Sequence, residues 1–130
     1  NLKNTFSDGT SNTIAAAEMM TKRDSGVWNL WSHGAWNHSY SPIFAVGSAD
    51  GATPYSNGMS AGAATVGANS MFVVQPKPTA PIGKASSPHT NGINICLADG
   101  SVRFMNGSVD PTTVWWRMLT PAQGDIPTDY

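Results

Sequence analysis

His89 and Asp99 are the residues of this chain that most suggest catalysis, because nine residues separate a potential base from a potential orienting acid. A hydrolase would also need a nucleophile next to the base. Asp99 stands in an Asp-Gly dipeptide, which turn formation already explains. We predict that the chain is not an enzyme and that His89 fixes the start of a hairpin, with metal ligation by His89 as the alternative. The nucleophile candidates would be Ser7, Ser11 and Ser101.

Oxygen-bearing side chains raise the question of calcium, a hard cation that takes carboxylate and amide oxygens. None of the candidates has the spacing of an EF-hand loop, and turn formation explains them as well. We expect no cofactor, with calcium as the alternative. The candidates are Asp8, Asp50 and Asp99, supported by Asn12 and Asn57.

Aromatic residues crowd residues 28–40, where three tryptophans stand near Tyr40. Such a group can form part of a core, a protein interface or a platform for stacking sugars. A surface module that binds a glycan or another ligand through this segment is therefore the alternative function. The tryptophans are Trp28, Trp31 and Trp36.

Composition excludes several other classes of protein. The 130 residues suffice for one domain, assigned here to residues 1–130, and only 12% of them are charged. The net charge is −1 and the basic residues are scattered, so the footprint of a nucleic-acid-binding protein is missing. Cys96 is the only cysteine, which excludes an intrachain disulfide.

A β-hairpin over residues 92–105 is the clearest element in the sequence. Two runs of β-forming residues flank Asp99-Gly100, a dipeptide typical of a two-residue type I′ turn. Alternation in each run then predicts one apolar face directed toward the core. Its members are Ile93, Ile95, Leu97, Val102 and Phe104.

Other segments predict strands and one short helix. Ser70–Val74 favours a strand, Ile14–Met20 favours a strand with a helix as the alternative, and long irregular loops include residues 48–69. A helix of about residues 111–119 follows Asp110 as N-cap and Pro111 as its first residue, and Thr120-Pro121 ends it. Its apolar side consists of Trp115, Met118 and Leu119, and the pattern as a whole predicts an α+β fold with an antiparallel sheet.

Three landmarks occur in a fixed order along the chain. The first is the block Asp8-Gly9-Thr10-Ser11-Asn12-Thr13, with Glu18 downstream. The second is His89 followed, after nine residues, by Asp99-Gly100. The third is the terminal segment Leu119–Asp125.

The ordered set resembles a family of bacterial prepilin-type proteins that is catalogued as a domain of unknown function with a His-X9-Asp-Gly signature. The chain departs from that family at Thr90-Asn91-Gly92, where Pro-Gly-Gly is usual, and at Gln123-Gly124-Asp125, where Gly-Gly-Glu is usual. These departures concern local loop geometry.

The resemblance implies a pilin-like globular domain whose N-terminal leader and long apolar helix precede the given residues. It further implies an extracytoplasmic location, in the cell envelope or at the cell surface, and attachment to a membrane only through that helix. Function would then be assembly into a filament, a pseudopilus or an envelope complex, with protein subunits as partners. We expect a partner to cover the sheet face that lacks the helix, near Trp28, Trp31, Trp36, Phe104, Trp115 and Met118.

Overall fold

A computed structural model describes residues 2–23, 26, 28–30, 32, 44–45, 67–75, 79, 81 and 83–128. Its main sheet has three antiparallel strands in the order β1–β4–β5, which are Ile14–Ala17, Gly92–Leu97 and Val102–Asn106. A second, parallel pair joins β2, Val73–Val74, to β3, Ser86–Ser87. The helices are α1 Leu2–Thr5, a π-helix Pro111–Trp116 that continues into α2 Arg117–Leu119, and 3₁₀ turns Thr10–Asn12 and Gly67–Ser70. The predicted α+β class is confirmed.

The predicted hairpin forms, but its turn is longer than expected. Leu97 N donates a hydrogen bond to Ser101 O at 2.8 Å, and Gly100 N donates to Leu97 O at 2.9 Å. Ala98 and Asp99 are therefore the central residues, and Gly100 follows them in the left-handed region with φ 86°. The prediction that Asp99 and Gly100 form a two-residue turn was wrong, because the loop is of the three-residue type that ends in a left-handed glycine.

This extra residue reverses the faces of β5. Val102 pairs with Cys96 and Phe104 pairs with Asn94, so both side chains lie on the face opposite Ile93 and Ile95. Val102 is 69% exposed and Phe104 is 53% exposed, and the prediction that they belong to the core was wrong. A one-residue shift in register moves every side chain of a strand to the other face.

The inner face of the sheet carries the core. Ile93, Ile95 and Leu97 of β4 are buried, as predicted, and Met105 takes the place expected for Phe104. The C-terminal helix covers this face, and the ring of Trp115 packs edge-on against Phe72 at 4.9 Å. Other members of the same cluster are Ile14, Ala85, Val114 and Met118.

The C-terminal helix begins as predicted. Asp110 Oδ1 accepts hydrogen bonds from Thr112 N at 2.8 Å and Thr113 N at 2.7 Å, which satisfies donors that the first turn leaves unpaired. Trp115 N reaches back five residues to Asp110 O at 3.1 Å, which widens this turn into a π-helix. Its indole Nε1 donates to Ser70 O at 2.9 Å and thereby fixes the helix to the segment before β2.

Other expectations about elements had mixed outcomes. β1 confirms the first predicted strand in its first four residues, whereas in Ser70–Val74 only Val73–Val74 is extended because Ser70 ends a 3₁₀ turn. The predicted loop 48–69 lies outside the described residues except for its last three. Trp115 and Met118 are fully buried inside the chain, so they do not offer a partner the surface expected of them.

Gly92 provides a test of how the outer face is packed. A Cβ built there would lie 2.5 Å from two ring carbons of Phe104 and closer still to Met105 O, whereas one at Gly107 would meet nothing nearer than 3.4 Å. We predict that Gly92→Ala lowers the free energy of unfolding by about 1 to 3 kcal/mol because it overpacks this contact. Gly107→Ala is the matched control and should change stability far less. Equal denaturant midpoints for the two variants would contradict the packing described.

Candidate functional site

Glu18 follows β1 and is the centre of a hydrogen-bond network between distant segments. Its Oε2 accepts from Asn94 N at 3.0 Å and from Ser87 Oγ at 3.0 Å. Its Oε1 accepts from Asn94 Nδ2 at 2.8 Å and lies 3.0 Å from His89 Nε2. Main-chain bonds run in parallel, since Glu18 N donates to Asn94 O and Ser86 N donates to Glu18 O. One carboxylate therefore joins β1, β3 and β4.

The network determines the charge of Glu18. Burial raises the pKa of this carboxyl, but hydrogen bonds from Asn94, Ser87 and His89 outweigh burial and lower the pKa from 4.5 to about 2. Each bond favours the ionised form, which accepts four donors without holding a proton of its own. Glu18 is therefore an ionised structural acceptor at neutral pH.

His89 connects this network to the solvent. Its imidazole is 49% exposed, contacts the carboxylate of Glu18 on one side and lies edge-on to Phe104 at 6.5 Å on the other. The neighbouring hydroxyl of Ser87 accepts from His89 N at 3.1 Å and donates to Glu18, so it is not directed at the imidazole as a nucleophile would be. His89 thus fixes the start of the hairpin through a carboxylate.

Two rows of side chains form the outer face of the sheet, defined here as the face opposite the core. The register puts Ala16, Cys96 and Val102 in an apolar row. Glu18, Asn94 and Phe104 form the next row, next to His89. The outer face therefore combines an exposed apolar strip with a saturated polar network.

Asp8 forms a second, separate network at the start of the DGTSNT block. Its side chain is buried; Oδ2 accepts from Gln123 N at 2.9 Å and Oδ1 accepts from Gly124 N at 2.9 Å. Asp8 N in turn donates to Pro121 O at 3.3 Å. The first landmark of the sequence thereby holds the third, the turn after the C-terminal helix.

The rest of the block supports the hairpin turn. Carbonyl oxygens of Thr10 and Thr13 accept from Asp99 N at 3.2 Å and Ala98 N at 2.8 Å. Within the block, Asn12 Nδ2 donates to Asp8 O, Thr13 Oγ1 donates to Gly9 O, and Gly9 has φ 97°. Ser11 is exposed at the surface of this loop. All three landmarks are thus linked through one folded loop.

His89 and Asp99 do not meet. The six residues of β4 lie between them, and an extended strand of six residues spans roughly 20 Å. Asp99 instead accepts from Ser101 Oγ at 2.7 Å and Ser101 N at 2.9 Å, and these bonds, with the charge of Arg103, lower the pKa of its carboxyl. The spacing in the signature is the length of a strand and its flanking turns.

Cation ligands are not gathered in the part of the chain that the structure describes. No group of three or more His, Cys, Asp or Glu side chains occurs there. Asp8 and Asp99 lie in different networks, with Asp8 engaged by main-chain N–H donors, and Asp50 lies outside the described residues. Calcium binding therefore gains no support from Asp8 and Asp99 as a joint site.

The aromatic segment is only partly described. Trp28 is 54% exposed, whereas Trp31 and Trp36 lie outside the described residues. A shared aromatic platform thus stays a prediction.

Sequence reasoning missed Asn94, Ser86 and Ser87 as partners of Glu18. Both serines are fully buried, and Asn94 supplies two donors to one carboxylate. A polar residue in the middle of a β-run is the one signal for Asn94, since it stands between Ile93 and Ile95 in the alternating pattern. The serine pair directly before a proline and His89 carries no comparable signal.

The class that this fold and site define is an α+β domain in which the sequence landmarks hold one another in place. The family model described as a protein of unknown function, DUF1559, matches residues 4–112. The chain belongs to that family, and its relation to prepilin-type proteins stays a prediction. Comparison with curated proteins and with solved structures gave no match. In the described part of the chain, no helix is both long and apolar enough to cross a membrane.

Replacing one carboxylate oxygen of Asp8 by an amide NH₂ should destabilise the fold. In Asp8→Asn, one of the two main-chain donors, Gln123 N or Gly124 N, would face an amide NH₂ and lose its acceptor. We predict a loss of about 1 to 3 kcal/mol in the free energy of unfolding. Asp99→Asn is the control, because Asp99 is exposed and asparagine also forms this turn. Chemical denaturation measures both, and a larger effect at Asp99 would contradict the assignment.

Ionisation of Glu18 should make the folding stability of the chain fall at acidic pH. A carboxyl whose pKa is lowered on folding contributes stability that is complete above its unfolded value of 4.5 and is lost as the pH falls toward about 2. We predict that the thermal midpoint of the wild-type chain falls over this window and that Glu18→Gln is less stable at neutral pH and flatter in acid. The wild type and the variant contain the same other carboxyl groups. The difference between their curves of thermal midpoint against pH therefore measures the contribution of Glu18. Parallel curves would refute the assigned role.

Proposed function

We propose that this chain is a structural subunit of an extracytoplasmic pilin-like assembly, a filament, a pseudopilus or an envelope complex, and that it acts by packing rather than by catalysis. The observation that carries the proposal is the apolar row on the outer face of the sheet. Val102 is 69% exposed there and Phe104 lies next to it at 53%. The apolar face of a sheet is normally covered, so the exposed side chains of Val102 and Phe104 suit a protein partner.

The two carboxylate networks also favour a structural role. Asp8 and Glu18 accept from main-chain and side-chain donors at every oxygen, and His89 and Asp99 lie at opposite ends of one strand. A catalytic group needs a free hydrogen-bonding site directed at a substrate, whereas the carboxylate oxygens of Asp8 and Glu18 connect segments of the chain. The family landmarks are thereby explained without turnover.

The resemblance to prepilin-type proteins supplies the kind of partner. In such proteins an apolar helix packs against the sheet, and here that helix would come from a preceding segment of the precursor or from a neighbouring subunit. Attachment to the membrane would run through the helix alone, which agrees with an extracytoplasmic location for the domain.

Thiol protection in cells tests the proposal. On a Cys96→Ser background, Val102→Cys introduces a thiol on the outer face, and Thr112→Cys introduces one on the exposed side of the helix that packs on the opposite face. Both thiols should react with a membrane-impermeant maleimide in the purified chain. In intact cells that make the full precursor, only the Val102→Cys thiol should become several-fold slower to react. Equal reactivity of the two thiols in cells would overturn the proposal.

A further inference from the structure

An open cavity of about 180 Å³ lies at the edge of the sheet next to β5. Its apolar lining consists of the buried Ile95 and Met105 and the half-buried Val109, and its exposed lining residues, Arg103, Phe104 and Asn106, are called its rim. Small-molecule sites are usually larger, about 300 to 1,000 Å³, whereas a cavity of about 150 Å³ holds a benzene-sized group. The cavity therefore has the size of one amino-acid side chain, with the cation of Arg103 among its exposed lining residues.

β5 leaves this cavity accessible from outside. The strand pairs with β4 on one side, and in the described part of the chain no strand pairs with its other side. Edge strands with side-chain-sized pockets are surfaces that extended segments of other chains can approach.

Ile126 is an exposed side chain of matching chemistry. It is 55% exposed, and its neighbours hold the segment in place: Arg117 Nη1 donates to Ile126 O at 3.4 Å, and Thr120 Oγ1 donates to Asp125 Oδ1 at 3.2 Å. The next residue, Pro127, is buried. The segment thus presents an aliphatic group directly beside a carboxylate.

The other exposed large apolar residues fit the cavity less well. Val102 and Phe104 belong to the outer face of the sheet, and Trp28 is bulkier than a benzene-sized space admits. Leu30 follows the neutral Asn29, so it lacks an acidic neighbour on that side to meet Arg103. Ile126 combines the size and the charge that the cavity and its rim require.

We infer that Ile126 of one copy inserts into the cavity of a second copy, with Asp125 of the first copy placed against the guanidinium of Arg103 in the second. This inference rests on the proposed function and specifies one subunit contact of the assembly. Arg103 also lies near Asp99, and its five N–H donors allow it to serve a further carboxylate.

The contact joins two different surfaces, so each bound pair keeps one unused Ile126 and one unused cavity. Contacts of this heterologous kind propagate into open filaments, or into rings where the rotation closes. A filament is therefore the expected product of repeated contacts, in agreement with a structural subunit.

Two variants that each lose one side of the contact provide the test. Ile126→Asp removes the inserted group and keeps the cavity, whereas Val109→Trp fills the cavity and keeps Ile126. Sedimentation velocity of the wild-type chain at rising concentration should show species that grow beyond a dimer. Each variant alone should stay monomeric, and an equal mixture should stop at the dimer because one matching pair of surfaces remains. Leu30→Asp, which changes another exposed apolar residue, should associate as the wild type does.

Charge reversal keeps the test decisive if Val109→Trp disturbs the fold. Arg103→Glu and Asp125→Lys should each lose association, and their equal mixture should again grow beyond a dimer, because both contacts between unlike copies then join opposite charges. Association that survives Ile126→Asp overturns the inference while the assembly function, judged by thiol protection of the outer face, still stands. A wild-type chain that stays monomeric at every concentration overturns the inference as well.

Discussion

The sheet depends on the hydrogen bonds that the carboxylate of Glu18 accepts. Its donors stand 69 to 76 positions further along the chain, yet they converge on two oxygens. Through them the end of β1 is fixed to β4 and to the short β3, and His89 is held next to Phe104. An acceptor with four donors in this position is satisfied only when all three segments are in place, so the network favours one register over its neighbours.

The landmarks of the family are explained as constraints on shape. Asp8 connects the first block to the turn after the helix, and carbonyls of the same block accept from the hairpin turn. His89 and Asp99 mark the two ends of β4, which accounts for their spacing. A histidine and an aspartate that recur at a fixed distance are easily taken for a catalytic pair. In this chain the distance is that of a strand, and each residue has a partner of its own, Glu18 for His89 and Ser101 for Asp99.

Sequence was sufficient where a single local rule decides the structure. Asp110-Pro111 starts the helix through side-chain acceptance of two N–H groups, and alternation places Ile93, Ile95 and Leu97 in the core. It failed for Val102 and Phe104 because loops of two and three residues share the same Asp-Gly dipeptide and differ in which face the second strand presents. Glu18 and His89 are in contact although 71 positions separate them in the sequence, and no local pattern in one sequence encodes such a pairing.

The order of strands has a kinetic consequence. β4 and β5 are joined by a short turn and hairpins form in roughly 1 to 10 μs, whereas β1 reaches β4 only across residues 18–91. Closing so long a loop delays the last pairing, although doubling its length would add only about 0.6 kcal/mol. During that delay one edge of β4 is open, with Ile93 and Ile95 beside it. The unfolded chain is therefore most prone to aggregation in the interval before β1 pairs with β4. The length of residues 18–91 affects that risk more than it affects the final stability.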